Sequence, residues 1–339
     1  MKRELNIQQL RKNCLNATIF STETLAWIAK ENLWNIWVPK SYGGLEMPLE
    51  EGLKKLKSLA FIDGSLGWTI TLCSGANYFV GNLKREVGQE IFKSVQEHIC
   101  FGGSGGTFGT AEKVGSKYKI SGCWHYATGA PYLSHFTLNA KIIEGGKQMK
   151  NRDGSPLILS FVIPRDTVQI IEDWNTMGLC ATATHSFDVD ELWVDEKFSF
   201  VYNRFYLEQA IFKIPFAVFA DLTLWVNYVG MGEHYLEKAK KILSSEKLEN
   251  LSKVISSANE QIFSLAEEIE EKIAVKSVFT ETYNLSIHAK AVDSVQKLTT
   301  SIVGVYPNLG IKASRKNQEL NQIFRDYFTA TQHHIFADR

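Results

Sequence analysis

The sequence predicts an α+β fold in which an N-terminal helical domain, a central β-domain and a C-terminal helical bundle follow one another along the chain. Two observations support this prediction. The spacing of apolar residues changes from helical to strand-like near residue 98 and returns to helical spacing near residue 204. Strands and helices do not alternate along the chain, which argues against a doubly wound parallel sheet. We therefore expect domains at residues 1–97, 98–203 and 204–339.

The three predicted domains have different sequence patterns. Residues 1–97 have helical patterns, interrupted by helix-stopping Gly, Pro and Asp at residues 39–44 and 63–65. Every second residue is apolar, as in half-buried strands, in two central runs: Phe136, Leu138, Ala140, Ile142 and Leu157, Leu159, Phe161, Ile163. Apolar residues recur at helical spacing in two C-terminal stripes: Val254, Ala258, Ile262, Leu265, Ile269, Ile273 and Leu320, Ile323, Phe324, Tyr327, Phe328.

Composition restricts the classes of partner. The 339 residues contain 37 Lys+Arg and 37 Asp+Glu, and this balance argues against a broad basic surface for nucleic acid or anionic lipid. Polar residues interrupt every apolar run well before the about 18 residues that a membrane span needs. Five widely spaced cysteines without a C-x-x-C pair fit a reduced, cytoplasmic protein. We expect a small-molecule substrate and self-association.

A glycine-rich segment at residues 102–106 (GGSGG) matches the G-x-S-x-G pattern of hydrolase nucleophile elbows. That elbow requires a helix directly after the serine, whereas Gly109 and Gly115 follow here, so the hydrolase remains a distant alternative. We expect instead a loop whose backbone N–H groups approach a ligand.

Histidine and aromatic residues supply further candidates. No histidine has a glutamate three residues before it and no H-E-x-x-H occurs, so we expect no protein metal site. His333 and His334 lie near the end of the last predicted helix. Since neighbouring helical positions point about 100° apart, at most one of the two faces a given pocket. The alternative to a catalytic role is a structural one, in which a histidine interacts favourably with the dipole at the helix C-terminus. The aromatic residues before Thr128 either pack in the core or floor a flat heteroaromatic ring.

Three segments together resemble the acyl-CoA dehydrogenase superfamily. Residues 38–45 (VPKSYGGL), 63–68 (DGSLGW) and 174–186 (WNTMGLCATATHS) are similar to motifs of that family and occur in its order. The resemblance covers nearly the whole chain. It implies an N-terminal helical domain, a central β-barrel-like domain and a C-terminal four-helix bundle.

The resemblance also implies a flavin between the β-domain and the bundle. The family's aromatic-x-Thr/Ser step beside flavin N5 falls on residues 126–128, and the glycine-rich segment corresponds to a second flavin-facing loop. The residues that the resemblance places at the flavin are Thr128, Tyr126, Trp124, Gly129, Gly103 and Ser104. Thr128 would bond N5, and the two aromatic residues would wall the ring.

Departures from the dehydrogenase pattern indicate different chemistry. A dehydrogenase needs a glutamate base, but the two positions where relatives carry it hold His334 and Ala220, the latter beside Asp221. The R-x-x-F-G and Q-x-x-G-G motifs that hold the ADP half of FAD are also missing: residues 296–300 are QKLTT.

The two-component flavin monooxygenase branch of the superfamily fits these departures. Its members end in Arg-Asp followed by a histidine eight residues after the arginine, which here is His333. The resemblance implies reduced flavin, FMN or FAD, as a diffusible co-substrate from a separate reductase, in a homodimer or homotetramer. His333 or His334 would act as the acid/base. The alternatives are an acyl-CoA dehydrogenase with a relocated base, such as Asp221, and a catalytically lapsed member that binds a ligand or partner.

Overall fold

Five helices come first in the computed structural model, which describes residues 6–93 and 98–336. They are α1 (Ile7–Cys14), α2 (Thr22–Lys30), α3 (Leu49–Ile62), α4 (Gly64–Asn77) and α5 (Arg85–Lys93). Asp63 alone separates α3 from α4, and its Oδ1 accepts the Leu66 N–H at 2.9 Å, which caps the start of α4. The helix break predicted around residues 63–65 is therefore a single capping residue.

One mixed sheet forms the centre of the described chain. Its strands are β1 (Phe101–Val114), β2 (Lys117–Ala127), β3 (His135–Glu144), β4 (Lys147–Gln148), β5 (Ile158–Pro164), β6 (Gln169–Ile171), β7 (His185–Asp195) and β8 (Ser199–Phe200). They are ordered β6-β7-β2-β1-β3-β5-β8, with β4 on β3. β1 is antiparallel to β2 and parallel to β3. The two alternating runs fall in β3 and β5 as predicted.

The glycine-rich segment is the first point at which the prediction was wrong. Residues 102–106 lie inside β1 rather than in a loop, because the alpha carbon of Gly103 packs directly on the Thr137 backbone of β3. The pairing of β1 with β3 shifts register between Ser104 and Gly109, which marks a bulge. Since a strand and not a helix follows Ser104, the hydrolase elbow is excluded.

Four further helices complete the fold: α6 (Phe216–Ala239), α7 (Ser245–Ala274), α8 (Glu281–Val305) and α9 (Glu319–Ala330). The predicted stripes lie on α7 and α9, and α6 is central, in contact with α3, α4, α7, α8 and α9. Helix α9 ends at Ala330, so His333 and His334 lie beyond the helix and not within its last turn as predicted. Within the described ranges, no helix has the length and apolarity to cross a bilayer.

Candidate active site

Three threonine hydroxyls form a buried chain at the end of β2. Thr128 Oγ1 lies 3.1 Å from Thr184 Oγ1, which lies 2.8 Å from Thr182 Oγ1. Thr182 in turn donates to the Leu179 carbonyl oxygen at 2.7 Å. The backbone closes the same junction, since the Gly129 N–H donates to the Thr182 carbonyl oxygen at 2.8 Å.

The order of these bonds fixes the direction of every proton in the chain. A hydroxyl has one proton to donate, and a carbonyl oxygen only accepts. Because Thr182 gives its proton to Leu179, Thr184 must donate to Thr182, and Thr128 must donate to Thr184. The lone pairs of Thr128 Oγ1 thus remain available, and a ligand at this hydroxyl is favoured if it presents an N–H or O–H donor.

A β-bulge turns aromatic side chains outward just before Thr128. The pairing of β2 with β7 shifts between Trp124 and Ala127, and Tyr126 adopts a left-handed φ of 65° that is uncommon outside glycine. The Tyr126 side chain is 71% exposed as a result. The ring of Phe108, which is 50% exposed, meets the neighbouring His125 ring edge-on at 5.2 Å. The outer side of this bulge therefore carries two exposed aromatic rings, those of Tyr126 and Phe108.

Trp124 has a different role from the predicted one. Its indole is fully buried, stacks on Phe187 at 5.5 Å and donates from Nε1 to the Asn139 carbonyl oxygen at 2.9 Å. It presents no surface to a ligand, which corrects the prediction that it walls the ring. Ser104 is also buried, and its hydroxyl accepts the Gly106 N–H at 3.3 Å. The cofactor contacts predicted for Gly103, Ser104 and Gly129 stay predictions.

The two C-terminal histidines have unlike surroundings. His333 packs edge-on against the Trp68 ring at 5.6 Å, whereas His334 is exposed with its ring 4.6 Å from that of His333. Burial, together with the neighbouring His334, lowers the pKa of His333 to about 4. The His333 imidazole is therefore neutral at pH 7.

Helix α4 contacts both parts of the candidate site. Cys73 lies against Gly129 and donates weakly from Sγ to the Thr128 carbonyl oxygen at 3.6 Å. Thr69 lies on the same side, near Gly129, and its buried hydroxyl has no partner among the described residues. The adjacent Trp68 contacts His333. One helix thus links the threonine chain to the C-terminal imidazole.

The Arg325–Asp326 pair holds the loop that precedes β7. Asp326 Oδ1 accepts the Leu179 N–H at 2.6 Å, and Arg325 donates to the Met177 carbonyl oxygen. Gly178 fits between them because a Cβ there would collide with the Arg325 backbone. The pair therefore positions the loop that ends the threonine chain.

Asp221, the candidate relocated base, is already paired. Its Oδ1 lies 2.9 Å from His288 Nδ1. Burial raises the pKa of Asp221, and the hydrogen bond from His288 opposes the rise. In the described part of the chain, no group of three or more His, Cys, Asp or Glu side chains is placed to hold a metal ion.

Comparison with known proteins identifies relatives of the chain. It is 29% identical over 210 residues to an indole-3-acetate monooxygenase from Pseudomonas putida, covering 61% of this chain and 51% of that protein. It is 24% identical over 274 residues to the enzyme of the same name from Acinetobacter baumannii, covering 80% and 68%. Another relative, 20% identical over 51% of this chain and 43% of its own length, is the oxygenase subunit HsaA of a flavin-dependent monooxygenase from Rhodococcus jostii. The chain is homologous to flavin-dependent monooxygenases.

Solved structures share the fold of this chain. XiaF from Streptomyces sp., determined with FADH2 and glycerol, superposes with a TM-score of 0.86 at 18% identity, over 97% of this chain and 89% of that one. No family model matches the chain. The chain spans about half the length of the Pseudomonas putida relative. The resemblance and the fold class inferred from the sequence are confirmed.

Several contributors to the site were missed at the sequence level. Thr182 and Thr184 lie inside a segment that served only to support the resemblance, although two threonines flanking one alanine are a visible polar signal. Asp326 belongs to the Arg-Asp pair that precedes His333, and the sequence did not predict its hydrogen bond to the Leu179 N–H. The outward position of Phe108 and His125 depends on the two strand bulges, which local sequence does not reveal.

Proposed function

We propose that this chain is the oxygenase component of a two-component monooxygenase, which uses reduced flavin and O2 to hydroxylate a small organic substrate. The observation that carries the proposal is the direction of the threonine chain, which leaves an acceptor at Thr128 Oγ1. The N5 of a reduced flavin bears a hydrogen, whereas the N5 of an oxidised flavin does not. An acceptor at this place therefore favours the reduced form.

The surface around Thr128 suits a flat tricyclic ring. Tyr126 and Phe108 expose aromatic faces on the outer side of the sheet, and stacking on such faces binds heteroaromatic rings. The orphaned Thr69 hydroxyl on α4 is a further polar group beside Gly129. Bound reduced flavin would supply the two electrons that activate O2, and the protein would orient the ring and exclude water.

His333 is the proposed acid/base group. Its imidazole is neutral at pH 7, so it can accept a proton or donate its ring N–H. His334 is exposed and would modulate His333 rather than contact the reactants. The absent ADP-binding motifs fit a flavin that arrives from a separate reductase, as either FMN or FAD.

The finer assignments are part of the same proposal. We place the protein in the cytoplasm because its five cysteines, all within the described residues, are unpaired. We propose a homodimer or homotetramer, since exposed apolar side chains occur just before α8, at Val278, and in its first turns, at Leu285. A flavin bound at the outward aromatic surface would be shielded from water by a second copy.

The dehydrogenase alternative has less support. Its base would be a free carboxylate, whereas Asp221 accepts a hydrogen bond from His288. The alternative of a catalytically lapsed protein also has less support, because the ordered threonine hydrogen bonds leave an acceptor available at Thr128 Oγ1.

A flavin titration in both redox states tests the proposal. Reduced FMN or FAD, generated without oxygen, should bind at least tenfold more tightly than the oxidised form. Mixing the reduced complex with O2 and a phenolic or indolic compound should give a hydroxylated product. If the protein instead binds oxidised FAD tightly and an acyl-CoA reduces that FAD, it is an acyl-CoA dehydrogenase. If it binds flavin in neither redox state, it is the catalytically lapsed alternative.

A further inference from the structure

A cavity lies at the far end of β2 from the candidate active site. Its volume is about 440 Å³, within the range of about 300–1,000 Å³ that is typical of small-molecule sites. Tyr118, the second residue of β2, lines this cavity, whereas Thr128 directly follows the last residue of the same 11-residue strand. The cavity is therefore separate from the threonine chain, and the proposed function does not use it.

The Tyr118 hydroxyl is an unused donor in this cavity. Tyr118 is 5% exposed, and its ring meets Phe161 edge-on at 5.1 Å. Its hydroxyl has no hydrogen-bond partner within residues 6–93 and 98–336. Burial, followed by the Glu196 and Glu144 carboxylates, raises the pKa of Tyr118 above its ordinary value, so the hydroxyl keeps its proton at pH 7. Because buried polar groups are nearly always satisfied, this hydroxyl indicates a partner that enters the cavity.

Two basic side chains belong to neighbouring segments of the cavity wall. Asn82 donates from Nδ2 to the carbonyl oxygens of Val201 and Arg204, at 3.1 Å each, and so holds the Arg204 segment beside the one that contains Lys84. The Arg204 guanidinium lies 5.5 Å from the centre of the Tyr206 ring. Neither basic side chain forms an ion pair with any residue that the structure describes. Both are therefore available to a carboxylate of a ligand.

The acidic side chains of the cavity come from a different element, the turn after β7. Asp195 Oδ1 accepts the Lys197 N–H at 2.9 Å, and the Lys197 ammonium is neutralised by Glu90 at 2.7 Å. Glu196 is exposed, has no ion pair in the described chain and contributes to the raised pKa of Tyr118. Apart from the neutralised lysine, the lining carries two acidic and two basic side chains, so its formal charge is zero.

Apolar and aromatic side chains complete the wall: Leu159, Phe200, Val201 and Tyr206. A ligand with a single charge would leave one of the two charged groups without a complement, whereas a zwitterion complements both. We propose that this cavity binds a free amino acid with an apolar or aromatic side chain. Its carboxylate would contact Arg204, Lys84 and the Tyr118 hydroxyl, and its ammonium would contact Glu196. This inference is independent of the proposed function.

Matched probes that lack one charge test the assignment. Calorimetry compares L-phenylalanine with phenethylamine, which lacks the carboxylate, and with hydrocinnamate, which lacks the ammonium. L-Leucine, isoamylamine and isocaproate form an aliphatic set of the same design. We expect at least one of the two amino acids to bind with a Kd below about 1 mM. It should be favoured about tenfold over each of its analogues, as one hydrogen bond to a charged group allows.

Substitutions assign each charge of the ligand to its residues. The double variant Lys84→Gln, Arg204→Gln should reduce the preference for the amino acid over the amine to less than about threefold, and leave its preference over the acid. Glu196→Gln should do the reverse. Arg152→Gln, between β4 and β5, and Glu267→Gln, on α7, remove exposed charges away from the cavity and should change neither preference.

The Tyr118→Phe substitution tests the buried hydroxyl. Amino-acid affinity should fall by about threefold to tenfold, the usual value of one hydrogen bond, while the circular dichroism spectrum stays that of the wild type. Absent binding of both amino acids, equal binding of the singly charged analogues, or preferences that survive the charge substitutions would overturn the inference. Reduced FMN should not compete with the amino acid, so failure of the proposed function would appear separately, as absent binding of flavin.

Discussion

Thr128 and His333 lie at the two ends of the candidate site and are held by different forces. Thr128 is held by directed hydrogen bonds through Thr184 and Thr182, so its lone pairs have a defined direction. His333 is held by ring packing on Trp68 and by burial, so its charge state is fixed more firmly than its donor direction. The two groups therefore respond to different mutations.

Replacing Thr184 with valine tests the proton direction. The valine removes the acceptor of the Thr128 proton while preserving shape, so the Thr128 hydroxyl becomes free to turn toward the ligand. We expect the ratio of oxidised to reduced flavin dissociation constants to fall about tenfold, as one reoriented hydrogen bond allows. Fluorescence titration in both redox states measures it. Thr110→Val, at an exposed position of β1, is the control. An unchanged ratio in Thr184→Val would show that the threonine hydrogen bonds do not set the preference for reduced flavin.

The His333→Ala substitution tests the proposed acid/base group. Flavin affinity should change little, whereas coupled product formation should fall about 10²-fold, the usual value of a positioned acid/base group. Stopped-flow oxidation and product analysis measure the two quantities. His334→Ala should cost less than threefold. If the losses are reversed, the exposed imidazole and not the buried one faces the reactants.

The sequence predicted some of these residues and missed others for identifiable reasons. Thr128 and His333 follow from local motifs and counted spacing. The burial of Trp124 does not, because the period-two pattern of β2 is broken by a bulge that moves Tyr126 outward. Thr184 contacts Thr128 across 56 positions, and such long-range contacts depend on strand pairing.

At the scale of elements, the close contact between α9 and the loop before β7 leaves the least room for a larger side chain. The alpha carbon of Gly178 lies against the backbone of Arg325 and Asp326, and backbone cannot move aside as a side chain can. The sequence predicted α9 from its apolar stripe. It did not predict that the helix stops at Ala330, since no glycine or proline marks that point.

The Gly178→Ala substitution should destabilise the fold at this contact. Forcing a methyl group into a packed contact costs about 1–3 kcal/mol, and the thermal midpoint measured by circular dichroism should fall by several degrees. Gly304→Ala is the matched control, because nothing lies within 4 Å of a Cβ there. Alanine also favours a helix over glycine by about 0.5–1 kcal/mol. If the thermal midpoint rises in both variants, the packing of Gly178 against the Arg325 backbone is not as tight as described.

At the scale of the whole molecule, two buried carboxyl groups join the N-terminal helices to α9. Asp63 accepts from Gln322 Nε2 at 2.8 Å, while Asp326 Oδ2 has no hydrogen-bond partner within residues 6–93 and 98–336. Burial, and for Asp63 also the adjacent Asp326 carboxylate, raises the pKa of Asp63 to about 8. Burial raises the pKa of Asp326 to about 6.

Stability should therefore fall as pH rises from 6.5 to 8.5. In the unfolded chain both carboxyl groups lose their protons near pH 3.8, whereas in the folded chain they keep them to higher pH. The stabilisation present at low pH is therefore lost progressively as pH rises to about 8. The slope should be about 1.4 kcal/mol per pH unit for one group. Buried His234 and His333 have pKa values lowered by burial and stay neutral here.

Urea unfolding of Asp63→Asn at these pH values checks this expectation. The amide keeps an acceptor for the Leu66 N–H but has no proton to lose, so the slope between pH 6.5 and 8.5 should flatten. Asp153→Asn, at an exposed turn where hydrogen bonds from Ser155 lower the pKa, should keep the wild-type slope. A wild-type slope in Asp63→Asn would assign the pH dependence to other groups.

The order of helical and β regions could be predicted because hydrophobic spacing is a local property. The strand order could not, since β1 lies between β2 and β3 only after chain reversal brings them together. The pairing of Asp221 with His288 is likewise invisible in sequence, being a contact between helices 67 positions apart.

Leu179 occupies a left-handed backbone conformation, with φ of 51°, and serves two partners at once. Its amide hydrogen is bound by Asp326, and its carbonyl oxygen receives the proton of Thr182. A twist at this one residue would shift the terminal helix and reset the hydroxyl orientation at Thr128 together. Leu179 would thereby couple α9 to the threonines beside the sheet through its backbone alone, while its side chain takes no part.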